Sequence, residues 1–285
     1  MTAQATRLDA RDANAGTKVV EALAADGVAV IENMIPTDRL GRIREEVLYL
    51  RQVAVGRPQR EGRAAIGPMS ALKRWHLGQL STVFSIGAAP LARVICDNIL
   101  GRRWYCSDIL SMENYPSRDY ILPWHVDVSN DARAALARVK VFCYLNDVSA
   151  ANGAFCYAPR THRFVQDVWR GMRDGTLPAS KLHGLDDFRR YFAEFSTAIP
   201  EGVASKFQEL TSDLDDRFAL EAKAGTAIIF DETGIHRGGL VSQGHRSVLR
   251  YGYRRDTANY TNPLKHRITR AAARVVLPAP YRHII

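Results

Sequence analysis

The chain has 285 residues, of which 46% are hydrophobic and 24% charged, with a formal net charge of +9. That is ordinary globular composition and enough chain for one large domain with a sizeable core. No stretch approaches the roughly 18 consecutive apolar residues of a membrane span, and the opening MTAQATRLDARDANAGTKVV has no apolar core of signal-peptide length. A cytoplasmic protein without a membrane span is the expectation. Four cysteines (Cys96, Cys106, Cys143, Cys156) show no CxxC spacing, which excludes a zinc finger and predicts reduced, buried thiols.

The first 15 or so residues read as disordered or loosely attached. VVEALAADGVAVIENMI then predicts a helix, a turn at Asp26-Gly27 and a strand over residues 28–31. Pro36-Thr37-Asp38 opens a second helix to about Val55, with Leu40, Ile43, Val47 and Leu50 on one face. Residues 57–68, rich in Arg and Gly, read as a loop, and residues 81–100 as mostly helical, ending at Gly101.

After Gly101 the period changes. WYCSDILSMENY (104–115) is extended and leads into a Pro116-Ser117-Arg118 turn. Next come a strand through Trp124-His125-Val126-Asp127 and another, VKVFCYL, over residues 139–145. Asn152-Gly153 is a turn signal before residues 154–158. Residues 163–222 read as a polar insertion with helices over 186–195 and 203–214, and strands resume at 226–230 and 247–253. Short strands after a helical start favour a closed or double-sheet β architecture over a doubly wound α/β fold. One catalytic domain covering residues 1–285 is the economical reading.

His125 and Asp127, two apart in an extended segment, point to the same side. If His236 closes on them, the three make a 2-His-1-carboxylate facial triad, the usual holder of non-haem Fe(II) in oxygenases. His-x-Asp alone is weak evidence. What gives it weight is the order of the segments around it: VKVFCYLND, NGAFCYAPRTHR, AGTAIIFD, GIHRGG, and Arg246 ten residues after His236.

That order resembles the phytanoyl-CoA dioxygenase family of Fe(II)/2-oxoglutarate oxygenases. The matching pieces are WHVD, NGAFCYAPRTH, AGTAIIFD followed by His236, GHRSVLRYGY and the opening ALAADGVAVIENMIPTDRL, spanning roughly residues 19–253. The resemblance implies a mainly β protein with flanking helices around a double-stranded β-helix (jelly-roll) core. It implies Fe(II) on His125, Asp127 and His236, 2-oxoglutarate as co-substrate with its distal carboxylate on Arg246, and O2 as oxidant. A guanidinium suits a carboxylate because it donates two parallel hydrogen bonds. Two positions depart from the family. Gly238 stands where a Ser or Thr often helps bind the same carboxylate, and Arg160 replaces the Gly of the family's PGSH-like segment. Halogenating relatives replace the carboxylate ligand by Gly or Ala, so an intact Asp127 points to hydroxylation or a related oxidation.

Phe142 is a further candidate for the cofactor pocket. Glu113, Tyr115, Lys140 and Arg250 are candidates for substrate contact, by alternation along their strands. His162 reads as structural, and His76, His183, His245, His266 and His283 as surface or internally satisfied histidines. The expected partner is a small molecule, hydroxylated with release of succinate and CO2 in specialised metabolism. Desaturation, epimerisation or cyclisation by the same cofactors is the alternative, as is a non-catalytic jelly-roll module using the basic C-terminus. Nine Arg and Lys against one acid, Asp256, lie beyond residue 240. No RNA-binding aromatic motif or helix-turn-helix accompanies them, so nucleic acid is not expected. Substrate identity and oligomeric state are not legible.

Overall fold

A computed structural model describes residues 5–53, 70–71, 80–101, 104–116, 123–127, 138–214, 218–255, 271 and 275. In chain order its strands are β1 (Thr6–Asp9), β2 (Val28–Glu32), β3 (Ser70–Ala71), β4 (Trp104–Asn114), β5 (Arg138–Tyr144), β6 (Cys156–Tyr157), β7 (Ala227–Asp231), β8 (His236–Arg237) and β9 (Arg246–Arg255). Its helices are α1 (Ala15–Asp26), α2 (Thr37–Val53), α3 (Ser81–Gly87), α4 (Pro90–Leu100), α5 (Thr161–Asp174), α6 (Leu185–Glu194) and α7 (Glu201–Thr211). The strands form a seven-stranded mixed sheet, ordered β1-β2-β7-β5-β9-β4-β3, and a two-stranded sheet of β6 and β8.

Period-two alternation sorts the large sheet into two faces. Ala29, Ile31, Val141, Cys143, Ile229, Leu249 and Tyr251 turn outward and pack with α1 to α4 in one cluster, together with Val19, Leu23, Leu40, Ile43, Val83 and Ile95. Val28, Val30, Tyr144, Ile228, Phe230 and Val248 turn inward, against Phe155 and Tyr157 of the β6 segment. The register agrees: Val141 opposes Ile229 and Tyr251, while Phe142 opposes Ile228 and Arg250. This is the jelly-roll arrangement, a large sheet backed by helices with a small sheet over its inner face.

Local chemistry sets the element ends. Gly27 at φ +79° closes α1, its N–H bonded to Leu23 O, and β2 starts at the next residue. Pro90 opens α4 at its first turn, which splits the single helical run expected over residues 81–100. Residues 6–9, expected to be disordered or loosely attached, instead form an edge strand parallel to β2, held by Arg7 to Glu32 and to the Glu221 carbonyl. Four residues are too few for alternation to have marked that strand. The expected loop at 57–68 lies outside the described residues, as do the side chain of Leu50 and positions 117–118 of the expected turn.

The insertion departs most from its expected polar character. Its three helices bury Phe164, Val165, Val168, Trp169, Phe188, Tyr191, Phe192 and Phe207 in a separate cluster that also takes in Trp124, Val126 and Ile235. Charged residues on the outer faces of α5 and α6 mask this core in a composition count, although each helix is strongly amphipathic. All four cysteines are free and buried. No single helix among the described residues is long and apolar enough to cross a membrane.

Candidate metal centre

The Trp124-His125-Val126-Asp127 segment is extended but joins no ladder; His125 forms isolated bridges to Gly184 and His236. Trp124 and Val126 turn into the α5–α7 cluster, so alternation turns His125 and Asp127 the other way. Backbone hydrogen bonds fix the segment on both sides. His125 and His236 exchange N–H to O bonds at 2.9 Å, Asp127 N–H donates to Glu232 O at 3.1 Å, and Val126 N–H donates to His183 O at 2.9 Å. Arg237 lies over the Trp124 ring, 4.9 Å from its centroid, and ties β8 to the same segment.

His236 is buried, and its ring runs almost parallel to that of Tyr157, with Phe155 and Phe230 at its edge. His125, Asp127 and His236 each offer one ligand atom, all within 4.8 Å of one another. His236 Nε2 is 3.1 Å from Asp127 Oδ2, and His125 Nε2 is 3.8 Å from Asp127 Oδ1. Adjacent ligands of an octahedral ion with bonds of about 2.1 Å lie about 3 Å apart, so the set is close to the required geometry.

The donor chemistry also fits a cation. His125 Nδ1 lies 2.9 Å from Pro123 O and His236 Nδ1 lies 2.8 Å from Gly234 O. A carbonyl only accepts, so each Nδ1 carries the proton, and each ring in its neutral form turns a lone pair on Nε2 inward. Burial, helped by the neighbouring His236, lowers the His125 pKa to about 4, which keeps that ring neutral. Burial pushes the Asp127 carboxyl up, but its contacts with His236 and with the Lys140 ammonium outweigh that and hold the group well below the usual carboxylate range. Two lone pairs and a carboxylate thus converge on one point. Such a set repels itself unless a cation sits between its members.

Of the triad's other neighbours, the sequence marked Lys140 only as a candidate for substrate contact and left Arg138 and Glu232 unmarked. Lys140 contacts Asp127 Oδ2 and lies 3.1 Å from Glu232 Oε2, while Arg138 pairs with Glu232 Oε1 at 3.2 Å. Glu232 is buried at the end of β7, and no motif marks it. The His183 ring, read above as surface or internally satisfied, is exposed and lies 5.5 Å from the ring of His125.

Arg246, at the start of β9, is buried on the inner face, where it donates to Gly153 O and, at 3.2 Å, to Asn114 Oδ1. Phe142 shares that face and packs edge-on against Phe155 and Phe230, both of which also touch the His236 ring. Lys140 and Arg250 are there too, with Arg250 bonded to Asp108 at 2.6 Å. Glu113 and Tyr115 are separated from this group. Glu113 opposes Ser247 next to the Ser111–Leu249 pair, on the helix-facing side, and the Tyr115 ring stacks on His245. Together they line a different cleft of about 260 Å³, between α2 and the ends of β4 and β9. The structure therefore gathers His125, Asp127, His236, Arg246, Phe142, Lys140 and Arg250 on one side of the sheet, and Glu113 and Tyr115 on the other.

A jelly roll whose inner face carries this donor set is the architecture of a 2-oxoglutarate-dependent oxygenase. The family model for phytanoyl-CoA dioxygenase (PhyH) matches residues 23–248, and the chain belongs to that family. It is a 2-oxoglutarate-dependent dioxygenase that uses Fe(II), 2-oxoglutarate and O2. Among functionally curated proteins none matches the chain significantly in sequence. Several solved structures share the fold. HygX from Streptomyces hygroscopicus, with nickel and 2-oxoglutarate bound, is 13% identical with a TM-score of 0.52, covering 84% of this chain and 86% of its own. AviO1 from Streptomyces viridochromogenes Tue57 is 12% identical with a TM-score of 0.53, covering 86% and 97%. The epimerase SnoN, in complex with Fe3+, alpha-ketoglutarate and nogalamycin RO, is 13% identical with a TM-score of 0.53, covering 89% and 88%.

Proposed function

We propose that His125, Asp127 and His236 hold Fe(II), that Arg246 binds the distal carboxylate of 2-oxoglutarate, and that the enzyme hydroxylates a C–H bond of a small molecule. The observation that carries this reading is the convergence of two Nε2 lone pairs and one carboxylate, with each Nδ1 committed to a backbone carbonyl. When bound, the iron and its co-substrate supply the oxidant, releasing succinate and CO2. The chain's own part is orientation and exclusion of water. Phe142, Phe155, Phe230 and Tyr157 form an aromatic wall around His236 that keeps its side of the pocket dry. Asn114, on the Arg246 guanidinium, is placed to supply the second carboxylate contact that Gly238 lacks. The intact Asp127 supports hydroxylation over halogenation.

A specialised biosynthetic role is supported by SnoN, an epimerase from nogalamycin biosynthesis, and by HygX and AviO1, both from Streptomyces species. SnoN's description as an epimerase keeps a second outcome of the same cofactors in view. Helices α5 to α7, with their own core against Trp124 and Val126, are the part of the fold we assign to substrate selection. We assign the enzyme to the cytoplasm, where its four buried free thiols stay reduced. Anaerobic Fe(II) with 2-oxoglutarate should produce a weak visible charge-transfer band, and air should then produce succinate. Absence of both would refute this reading.

A further inference from the structure

Asp127 is gripped from behind by a buried ion pair. Lys140 turns inward because β5 alternates, and its ammonium meets the Asp127 Oδ2 atom and, at 3.1 Å, Glu232 Oε2. Glu232 touches Asp127 a second way, since its backbone carbonyl accepts the Asp127 N–H at 3.1 Å. Asp127, Lys140 and Glu232 therefore form a closed ring of contacts, which Arg138 extends through Glu232 Oε1 at 3.2 Å.

We infer that Lys140 and Glu232 are positioning residues that fix the orientation of the Asp127 carboxylate towards the metal, the ammonium holding it at Oδ2. This rests on the reading of His125, Asp127 and His236 as the iron site. Two arguments support it. Lys140 and Glu232 have side-chain exposures of only 12% and 3%, and burying either charge alone would be strongly unfavourable. Their pairing with a ligand on one side and Arg138 on the other makes that burial tolerable. The four charges of Asp127, Lys140, Glu232 and Arg138 also cancel, so the cluster behind the metal adds no net charge to the site. Lys140 thus tempers the carboxylate's donation to the metal, and Glu232 tempers Lys140.

The test is the visible band formed anaerobically with Fe(II) and 2-oxoglutarate, without substrate. Lys140→Met makes Asp127 the stronger donor and should move the band to longer wavelength, with Co(II) still bound at one equivalent by calorimetry. Glu232→Gln leaves Lys140 to Asp127 alone and should move the band the opposite way. Lys140→Arg should restore the wild-type position. A band in both variants superimposing on wild type would overturn the inference; a raised 2-oxoglutarate dissociation constant in Lys140→Met would then assign Lys140 to the co-substrate, and a changed substrate KM alone would assign it to substrate. Should Lys140→Met lack native circular dichroism, Glu232→Gln decides by the direction of its shift. A wild-type protein that gives no band and binds no Co(II), as Asp127→Ala is expected to behave, would instead refute the iron site itself.

Discussion

His236 Nε2 lies 3.1 Å from Asp127 Oδ2, although 109 residues separate the two in sequence. With the His236 Nδ1 proton committed to Gly234 O, the neutral ring meets Asp127 as one acceptor facing another. What brings them together is a chain of backbone hydrogen bonds from His125 to His236 and from Asp127 to Glu232, backed by Trp124 and Val126 in the insertion core. The metal centre is thus assembled where the jelly roll meets its helical insertion.

Arg246→Ala should raise the 2-oxoglutarate dissociation constant about 100-fold. Losing charge-assisted hydrogen bonds to a carboxylate costs roughly 3 kcal/mol, and 1.4 kcal/mol is tenfold. Asn114→Ala should raise it about tenfold by losing a single neutral bond of about 1.5 kcal/mol. Co(II) affinity should not change in either variant. Isothermal titration measures both, and unchanged 2-oxoglutarate affinity in Arg246→Ala would move the role to Arg250.

Gly234 supplies the carbonyl that holds His236 Nδ1, and a Cβ there would lie 1.9 Å from the Tyr157 hydroxyl. Gly234→Ala must displace either the turn or the tyrosine, whose hydroxyl donates to Asp231 O at 3.1 Å. A stability loss of about 2 kcal/mol or more is expected from overpacking. Metal affinity should fall with it, as read by urea denaturation and Co(II) titration of the folded fraction.

The backbone at Arg160 accounts for the glycine of the family pattern. Its φ is +68°, in the left-handed region, and it immediately precedes α5. A glycine meets no Cβ penalty there, whereas a non-glycine residue is strained by about 1 kcal/mol or more. Arg160→Gly should therefore raise stability by up to about 1 kcal/mol, seen as a higher urea midpoint with an unchanged slope. A lower midpoint would mean that the side chain contributes more than its backbone strain costs.

Two buried groups outside the ligand set should give the apoprotein opposing pH responses. Burial, with Arg163 adding to it, lowers the His162 pKa from 6.5 to about 4. The unfolded chain then binds more protons between those values, so this group's contribution is full above 6.5 and is lost as pH falls toward 4. Burial raises the Asp231 pKa from 3.8 to about 6 against the hydrogen bonds of Thr233 and Gln166. Here the folded state binds more protons, so stability is full below 3.8 and is lost as pH rises through 6. Each term is on the order of 3 kcal/mol at most, since one pKa unit is 1.36 kcal/mol. His162→Gln should make stability rise less with pH between 4 and 6.5, and Asp231→Asn should make it rise more between 4 and 6. Urea unfolding at several pH values checks both signs, and equal slopes in both variants would contradict the assignment.

Much of this was legible in the chain. The strand patterns over 104–115, 139–145 and 247–253 appear as β4, β5 and β9, because alternating branched and aromatic residues serve two buried faces. His125 and Asp127 fell on one side because Trp124 and Val126, both apolar, claim the other. Glu113 and Tyr115 could not be assigned a face from spacing alone: β4 carries a register shift between Cys106 and Asp108, and alternation gives relative sides but not which side faces the helices. The insertion core was hidden by charges on its outer face. Alternation made Lys140 a pocket candidate, but its contact with Asp127, like the approach of Glu232 and His183 to the triad, comes from long-range packing, which no local pattern records.

The central claim is that iron and 2-oxoglutarate meet on the inner face of the sheet between His125, Asp127, His236 and Arg246. A crystal structure with Ni(II) and 2-oxoglutarate, phased at the nickel edge, tests it most directly. The account predicts one anomalous peak about 2.0–2.2 Å from His125 Nε2, one Asp127 oxygen and His236 Nε2, with the distal carboxylate paired to Arg246. Nickel bound elsewhere or through either Nδ1, or a carboxylate seated on another arginine, would contradict it.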